Sequence, residues 1–447
     1  MTLVAEVRLW GRTIGAVSLA GDSDVAAFEY DPVFVGSGIE VSPLVMPLSR
    51  RVYSFPELPR KTFYGLPGLL ADSLPDKFGN ALIDAWLATQ GRQPGSFNAV
   101  ERLCYTGERG MGALEFVPAT GPKTRRAGQI QIDKLVELAS DILTRRNHLQ
   151  VSLGERHENR SREQALTDIL RVGTSAGGAR AKAVIAWNPS TNEVRSGQVP
   201  AGKGFEYWLL KFDGVRGNRD KELEDPQGYG VIEYAYYRMA RDCGIEINEC
   251  RLFEENGRQH FMTRRFDRLA NGRKLHMQSL CALAHFDFNR AGAYAYEQVL
   301  MVIRRLGLPM DVVEEQFRRM AFNVIARNQD DHVKNIAFLM DKSGQWSLSP
   351  AFDLTYSFNP SGTWTASHQM TLNGKRDGFT MDDFRACAKS AAMKRGRAET
   401  IVGEVMQVVS HWKEYAESAG VPVAWQEKIQ GALRLNDFGT HLTVAGK

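Results

Sequence analysis

The 447-residue chain lacks several features that mark specialised classes of protein. Its five cysteines are scattered and include no CxxC pair, so the sequence predicts neither a disulfide framework nor a zinc site and favours the cytoplasm. No apolar run is long enough to span a bilayer, and the N-terminus has no basic segment followed by an apolar one. We therefore expect neither export nor a membrane anchor. Internal repeats and low-complexity tracts are absent as well.

A large excess of charge of one sign is also missing. The chain has 56 Lys and Arg residues against 52 Asp and Glu residues, which gives a net charge of +4. This mild basic excess tolerates a polyanionic partner but does not require one. Hydrophobic residues make up 43% of the chain, enough for a globular core, and its length favours two or three packed units over one.

The N-terminal part has a β-rich pattern. Apolar and polar residues alternate over 4–18, which is the period of half-buried strands joined in a hairpin. A helical segment follows at 66–90, and a strand-like run occupies 111–117. Because 120–128 is polar and rich in Gly and Pro, we predict a small β-rich N-terminal domain over 1–125.

The remainder, 126–447, is predicted to be a kinase-like domain with two lobes. A helix at 132–145 leads into an α+β nucleotide-binding lobe that extends to about residue 265. Its strand-like runs and its helix lie at 182–187, 207–212, 231–243 (the helix), 250–254 and 260–264. The lobe from about 266 to 447 is mostly helical, with helices expected at 311–327, 381–392, 398–416 and 424–433. The predicted fold class is therefore α+β.

One motif indicates phosphoryl-transfer chemistry. In Asn328-Gln-Asp-Asp-His-Val-Lys-Asn335, Asp330 precedes Asn335 by five residues, which is the spacing of a kinase catalytic loop. In such a loop the Asp accepts or orients the proton of the attacking hydroxyl, and the Asn binds magnesium. Taken alone, the motif is explained equally well as a polar turn between a helix and a strand.

A later aspartate strengthens the kinase interpretation. Asp353 lies in Ser349-Pro-Ala-Phe-Asp-Leu354, after a hairpin predicted from the runs 336–340 and 346–348. Magnesium prefers hard oxygen ligands, so Asp353 is a candidate for the second metal ligand. Together, the motif and Asp353 favour a kinase over a polar turn.

Upstream residues are candidates for phosphate contacts. The run Arg171-Val-Gly-Thr-Ser-Ala-Gly-Gly-Ala-Arg-Ala-Lys182 could approach phosphates closely, but it lacks the Walker A order and such loops are often simple turns. Lys211 lies within an apolar strand, where a phosphate would offset its desolvation; a lysine at a sheet edge is the alternative. Glu233 could pair with Lys211 or be an ordinary surface residue. His332 and Lys334 could contact phosphate or brace the loop.

These residues resemble the HipA-like serine/threonine kinases, the toxins of bacterial toxin–antitoxin pairs. The segments that carry the resemblance are, in family order, Gly68–Asp76, Gly110–Phe116, Thr174–Lys182, Leu209–Phe212, Arg265–Arg268, Asp330–Asn335 and Ala351–Asp353. The resemblance covers most of the chain.

The resemblance implies a role for each matching residue. Asp330 would be the catalytic residue, and Asn335 and Asp353 would be the magnesium ligands. The ATP contacts would be Gly177, Gly178, Ala179, Arg180, Ala181, Lys182, Lys211, Arg264, Arg265, Phe266, His332, Lys334, Asn335 and Asp353. Ser175, or its neighbour Thr174, would be an autophosphorylation site whose added charge repels ATP and inactivates the kinase.

The implied partners are a HipB-like helix-turn-helix antitoxin, DNA through the antitoxin complex, and a protein substrate of the translation machinery such as a glutamyl-tRNA synthetase. Two alternatives stay open. A small-molecule phosphotransferase with a kinase-like fold would not need the region 1–125, and a catalytically silent co-repressor would not need an intact set of catalytic residues.

Overall fold

A computed structural model of the chain describes residues 2–93, 95–121, 130–144, 169–170, 180–215, 228–269 and 272–438. The chain forms two compact units. The first contains Met1–Gly230, Arg251–Gln278 and Leu339–Gln345, and the second contains Val231–Cys250, Ser279–Phe338 and Trp346–Lys447.

The first unit begins with a four-stranded antiparallel sheet. Its strands are β1 (Leu3–Leu9), β2 (Arg12–Leu19), β3 (Ala27–Tyr30) and β4 (Leu114–Val117), in the order β3-β2-β1-β4. Trp10 and Gly11 have φ values of 52° and 78°, so both central residues of the β1–β2 turn are left-handed, as the twist of a tight hairpin requires. The predicted N-terminal hairpin is confirmed.

Five helices lie between β3 and β4. They are α1 (Pro32–Val35), α2 (Arg60–Phe63), α3 (Gly68–Ala71), α4 (Lys77–Thr89) and α5 (Ala99–Thr106). The Asp76 side chain accepts a hydrogen bond from Gly79 N at 2.6 Å, which caps the start of α4. At α5, Asn98 and Glu101 form a capping box.

A second antiparallel sheet follows helix α6 (Ile132–Thr144). Its strands are β5 (Lys182–Asn188), β6 (Glu193–Ser196), β7 (Glu206–Lys211), β8 (Cys250–Glu255) and β9 (Arg258–Arg264), in the order β6-β5-β7-β9-β8. The register places Lys182 of β5 directly opposite Lys211 of β7. Four of these strands and α6 lie where the sequence predicted them.

One hydrophobic core joins the second sheet to helices from the N-terminal part of the chain. Leu82 of α4 and Leu135 of α6 are buried in the same cluster as Ile185, Trp208 and Met262 of the sheet. Burial of these apolar side chains stabilises the packing of the helices against the sheet. The predicted domain division after residue 125 stays a prediction.

The second unit is mainly helical. Its helices are α7 (Tyr229–Asp242), α8 (Leu280–Ala284), α9 (Tyr296–Arg305), α10 (Met310–Ile325), α11 (Met381–Ser390), α12 (Arg397–Val409), α13 (Trp412–Ala419) and α14 (Val423–Ala432). The chain also forms a three-stranded sheet from β10 (His276–Ser279), β11 (Ala337–Met340) and β12 (Trp346–Leu348), in that order.

The helix predicted at 398–416 is wrong in one respect, because the structure has two helices there. α12 ends at Val409 and α13 begins at Trp412. The apolar pattern continues through the break, since Val409 and Trp412 are both fully buried. Periodicity alone therefore could not reveal the change of direction.

The α+β fold class with a β-rich N-terminal region is confirmed. Within the ranges given above, no helix combines the length and the apolar character needed to cross a membrane.

Candidate catalytic site

The predicted catalytic loop lies between α10 and β11 in the second unit. Arg327, two residues after the end of α10, has a φ of 57°, and Asn328 N donates a hydrogen bond to Asn323 O at 2.9 Å. Val333–Asn335 form one turn of 3-10 helix, closed by Asn335 N donating to His332 O at 2.9 Å. These bonds fix the backbone at both ends of the loop.

Asp330 and Asn335 are in contact within this loop. Asn335 Nδ2 donates to the backbone oxygen of Asp330 at 2.9 Å. The Asp330 side chain is 43% exposed, so a substrate hydroxyl can reach its carboxylate. Trp364 Nε1 donates to Asp330 Oδ1 at 2.8 Å, and His332 Nε2 lies 3.8 Å from the same oxygen. The arrangement suits a carboxylate that accepts a proton from a bound hydroxyl.

Asp353 has an unusual backbone conformation. Its φ is 55°, a left-handed value that costs free energy for a residue other than glycine. Asn328 Nδ2 donates to Asp353 O at 3.4 Å and to Asn323 Oδ1 at 2.9 Å. Asn328 therefore links the start of the catalytic loop to Asp353. Strained residues of this kind are concentrated at functional sites.

The donor set fits magnesium. The Asn335 Nδ2 group donates its hydrogen bond to the backbone oxygen of Asp330. Within the described part of the chain, no group donates to the Asn335 Oδ1 atom. This amide oxygen and the Asp353 carboxylate are hard oxygen donors of the type that magnesium prefers. Among the described residues, no cluster of three or more His, Cys, Asp and Glu side chains is suited to a metal.

Asp331, which follows Asp330, is completely buried and braces the loop. Its Oδ2 accepts from Tyr296 OH at 2.6 Å and from His368 Nδ1 at 2.7 Å, and its Oδ1 accepts from Gln369 N at 2.7 Å. Burial raises the pKa of Asp331, but His368 and these hydrogen bonds outweigh burial, so the pKa lies below its ordinary value. Asp331 is therefore ionised, and its three hydrogen bonds stabilise the buried charge.

His332 and Lys334 both contact Phe288. The His332 and Phe288 ring centroids are 5.6 Å apart, and Lys334 Nζ lies 5.2 Å from the centroid of the Phe288 ring. These contacts agree with a bracing role for both side chains, and they leave the predicted phosphate contacts as predictions.

In the first unit, the two lysines predicted to contact phosphate lie side by side. Lys182 and Lys211 are directly opposite across β5 and β7, and both are buried. Lys182 Nζ is 4.0 Å from Asp76 Oδ2, with both side chains 3% exposed, and Lys211 Nζ is 5.6 Å from the Phe261 ring centroid. Like charges on opposing strands repel each other, so an anion between them would be stabilising.

Next to Lys182, the described end of the Gly-rich run is also buried. Ala181 O accepts a hydrogen bond from Phe212 N at 3.0 Å, and the Arg180 guanidinium lies 4.8 Å from the centroid of the Tyr229 ring. Gly177, Gly178, Ala179 and both phosphorylation candidates, Thr174 and Ser175, lie outside the described residues.

The segment Arg264–Phe266, which the family resemblance implies is the adenine-binding hinge of the predicted ATP site, leads away from β9. Arg264 Nη2 lies 3.3 Å from Glu206 Oε1, and Arg265 N donates to Tyr207 O at 2.9 Å. The Arg265 side chain is buried against Asp267, with its Nε 2.7 Å from Oδ1. An adenine contact by Arg265 would therefore need its backbone carbonyl.

Asp267 ties this segment to the N-terminal part of the first unit. Its Oδ2 accepts from Gly112 N at 2.8 Å and from Arg268 Nη1 at 2.6 Å. Arg268 also donates to the carbonyls of Gly110 and Gly112, each at 3.1 Å. Burial raises the pKa of Asp267, but the two arginine charges lower it by more, so the carboxylate is ionised.

The structure thus assembles the predicted residues in two groups. Asp330, His332, Lys334, Asn335 and Asp353 belong to the second unit, and the described remainder of the predicted ATP contacts belongs to the first. Glu233 is buried in α7, so the alternative that it is an ordinary surface residue is wrong, and its pairing with Lys211 stays a prediction.

Several functional candidates were missed from the sequence. The Asp doublet was a usable signal for Asp331, but no local pattern marked Trp364, His368 or Phe288, because their contacts join segments far apart in the chain.

Comparisons with known proteins give results over nearly the whole chain. The family model that describes the HipA-like C-terminal domain matches residues 174–412 of the sequence. The family model for the HipA N-terminal domain matches residues 5–117. A Haemophilus influenzae protein named as a candidate kinase is 25% identical over 159 residues, which cover 32% of this chain and 46% of that protein. The chain thus spans about half the length of this curated relative.

Among solved structures, the fold is similar to HipA of Shewanella oneidensis in its complex with HipB and operator DNA. The TM-score is 0.66 at 16% sequence identity, and the alignment covers 97% of this chain and 96% of that one. This likeness shows a common fold, and the family model covers more than half of the residues. The chain belongs to the HipA-like family and has its kinase-like fold.

Proposed function

We propose that the chain is a HipA-like serine/threonine protein kinase toxin that transfers the γ-phosphate of ATP to a host protein of the translation machinery. The observation that carries this proposal is the geometry of the catalytic loop, in which an accessible Asp330 carboxylate lies beside Asn335 and the loop is bonded to Asp353. Membership of the HipA-like family supports the same activity.

The chemistry assigns one role to each residue. The substrate hydroxyl oxygen attacks the γ-phosphorus, the bond from that phosphorus to the β–γ bridging oxygen breaks, and ADP leaves. Asp330 takes the hydroxyl proton. Asn335 Oδ1 and the Asp353 carboxylate would hold magnesium, which neutralises charge on the transferred phosphoryl group when bound. Lys182 and Lys211 would contact the phosphates of ATP.

We further propose the partners and the regulation implied by the family. A HipB-like helix-turn-helix antitoxin would neutralise the kinase, and DNA would be contacted through that complex, since the similar Shewanella HipA was solved with HipB and operator DNA. Autophosphorylation at Ser175, or at Thr174, would place about two negative charges beside the ATP phosphates and inactivate the enzyme.

The test compares the wild-type chain with Asp330→Asn in an assay of phosphate transfer from labelled ATP. The variant keeps the side-chain volume and the oxygen that Trp364 contacts, but it loses the base, so we expect a rate lower by about 10²- to 10⁴-fold. Asp382→Asn is the control, since Asp382 is 85% exposed on α11 and should leave the rate unchanged. Mass spectrometry of the labelled chain locates the phosphate on Ser175 or Thr174.

Equal rates for wild type and Asp330→Asn would contradict the catalytic assignment. Transfer only to a small molecule, without growth arrest on expression, would favour a metabolite kinase. Failure to bind Mg-ATP in calorimetry would favour a silent co-repressor.

A further inference from the structure

The orientation of the Asp330 carboxylate depends on one side chain outside the catalytic loop. Asn335 contacts only the backbone of Asp330, and His332 at 3.8 Å is beyond hydrogen-bonding distance. Within the described part of the chain, Trp364 Nε1 donates the single hydrogen bond that this carboxylate accepts, to Oδ1 at 2.8 Å. Oδ2 is thereby left as the oxygen for a substrate proton.

Trp364 is itself held against the catalytic loop on both sides of Asp330. Gln329 Nε2 donates to Thr365 O at 3.3 Å. On the other side, His368 Nδ1 and Gln369 N both donate to Asp331. Together with the indole bond to Asp330, the segment 364–369 is therefore bonded to three consecutive loop residues, and the bonds to Gln329 and Asp331 hold the backbone that carries Trp364 beside the loop.

The His368 contact is fixed in turn by the C-terminal part of the second unit. Arg434 Nη1 lies 2.9 Å from His368 Nε2, and a guanidinium can only donate, so Nε2 accepts and Nδ1 carries the proton given to Asp331. Arg434 Nη1 also donates to Val324 O at 2.8 Å. The two partners of His368 thus fix the orientation of its ring, with Nδ1 toward Asp331 and Nε2 toward Arg434.

We propose that Trp364 is a positioning residue for phosphoryl transfer, whose indole N–H holds the Asp330 carboxylate so that Oδ2 receives the proton of the substrate hydroxyl. The inference rests on the proposed kinase function. A charge-assisted hydrogen bond to an exposed carboxylate restricts its rotation, and a correctly oriented base reacts faster than one that must first be oriented. Trp364 touches no reacting atom, so it acts through Asp330.

The experiment removes the N–H and keeps the ring. Trp364→Phe should lower kcat about 10- to 100-fold, the loss expected for one hydrogen bond to a charged group, while Mg-ATP affinity in calorimetry and the melting temperature stay unchanged. Replacement of Trp364 by 3-benzothienylalanine, in which sulfur replaces the N–H, should give the same loss with nearly the same shape. Trp412→Phe is the control, because Trp412 is buried and donates to Gln426 O at 3.1 Å, away from the loop.

A double-mutant cycle with Asp330→Asn separates positioning from general structural support. If Trp364 acts through the Asp330 carboxylate, Trp364→Phe will not reduce the residual rate of Asp330→Asn any further. An equal reduction in both backgrounds would overturn the proposal, as would an unchanged kcat in the 3-benzothienylalanine variant. A wild-type chain that transfers no phosphate would instead refute the proposed function.

Discussion

His260 and His276 are buried histidines whose protonation opposes the folded state. His260 Nδ1 accepts from Asp213 N at 2.9 Å, and His276 Nε2 lies 3.1 Å from Val41 O. Burial lowers the pKa of each from 6.5 to about 4. The unfolded chain therefore binds protons as the pH falls through 6.5, whereas the folded chain does not bind them until about pH 4.

We expect the free energy of unfolding to decrease between pH 7.5 and pH 5, by up to about 2 kcal/mol for each of these histidines. Urea unfolding at several pH values measures the slope. His276→Gln should remove its share of the pH dependence, while His411→Gln, at an exposed histidine, should not. A His276→Gln slope equal to that of the wild type would contradict the assigned cause.

At the scale of elements, the connection between β9 and β10 is held by an ion cluster rather than by regular structure. Arg265 and Arg268 both contact Asp267, whose side chain is completely buried. Burial lowers the pKa of Arg268 to about 10, and the neighbouring Arg265 adds to this. The negative charge of the Asp267 carboxylate offsets the cost of burying the two positive charges of Arg265 and Arg268.

Asp267→Asn should therefore destabilise the first unit by about 3 to 5 kcal/mol, because it leaves both arginines without a compensating charge. Thermal and urea unfolding provide the measurement. Asp24→Asn serves as the matched control, since Asp24 pairs with Arg60 but is 80% exposed, and we expect no measurable change there. An Asp267→Asn variant as stable as the wild type would show that the cluster contributes little.

The sequence predicted helices and strands well wherever the apolar residues followed a single helical or strand-like spacing. The apolar stripe of α10, with Val313, Phe317 and Met320 fully buried, was predicted closely. The sequence-based prediction failed at the break between α12 and α13, because the residues on both sides of the break are buried. The sequence also could not indicate that the segment 364–369 binds the catalytic loop. Such contacts depend on which segments meet in space, and a local pattern carries no information about that.

For the whole molecule, the central question is whether the N-terminal region is a separable domain. The predicted boundary follows residue 125, yet Leu82, Leu87 and Tyr105 are buried in one cluster with side chains of the second sheet. Removing them would expose the apolar surface that they cover.

We expect a fragment of residues 126–447 to be aggregation-prone and to lack a cooperative unfolding transition. Co-expression with 1–125 as a separate chain should restore a folded complex, which serves as the control. Calorimetry measures whether the fragment and the co-expressed complex unfold cooperatively, and size-exclusion chromatography measures whether they aggregate. A fragment that unfolds cooperatively on its own would instead establish 126–447 as an independent domain.

The sequence by itself determined the α+β class, the positions of most strands and helices, and the catalytic-loop motif that contains Asp330 and Asn335. These features are local, since they follow from periodicity and from residue spacing within short segments. Only the tertiary structure decided that Asp330 is oriented by Trp364, that Asp331 is held by His368, and that Lys182 pairs with Asp76. Each of these contacts joins residues more than 30 positions apart, and packing alone brings them within reach.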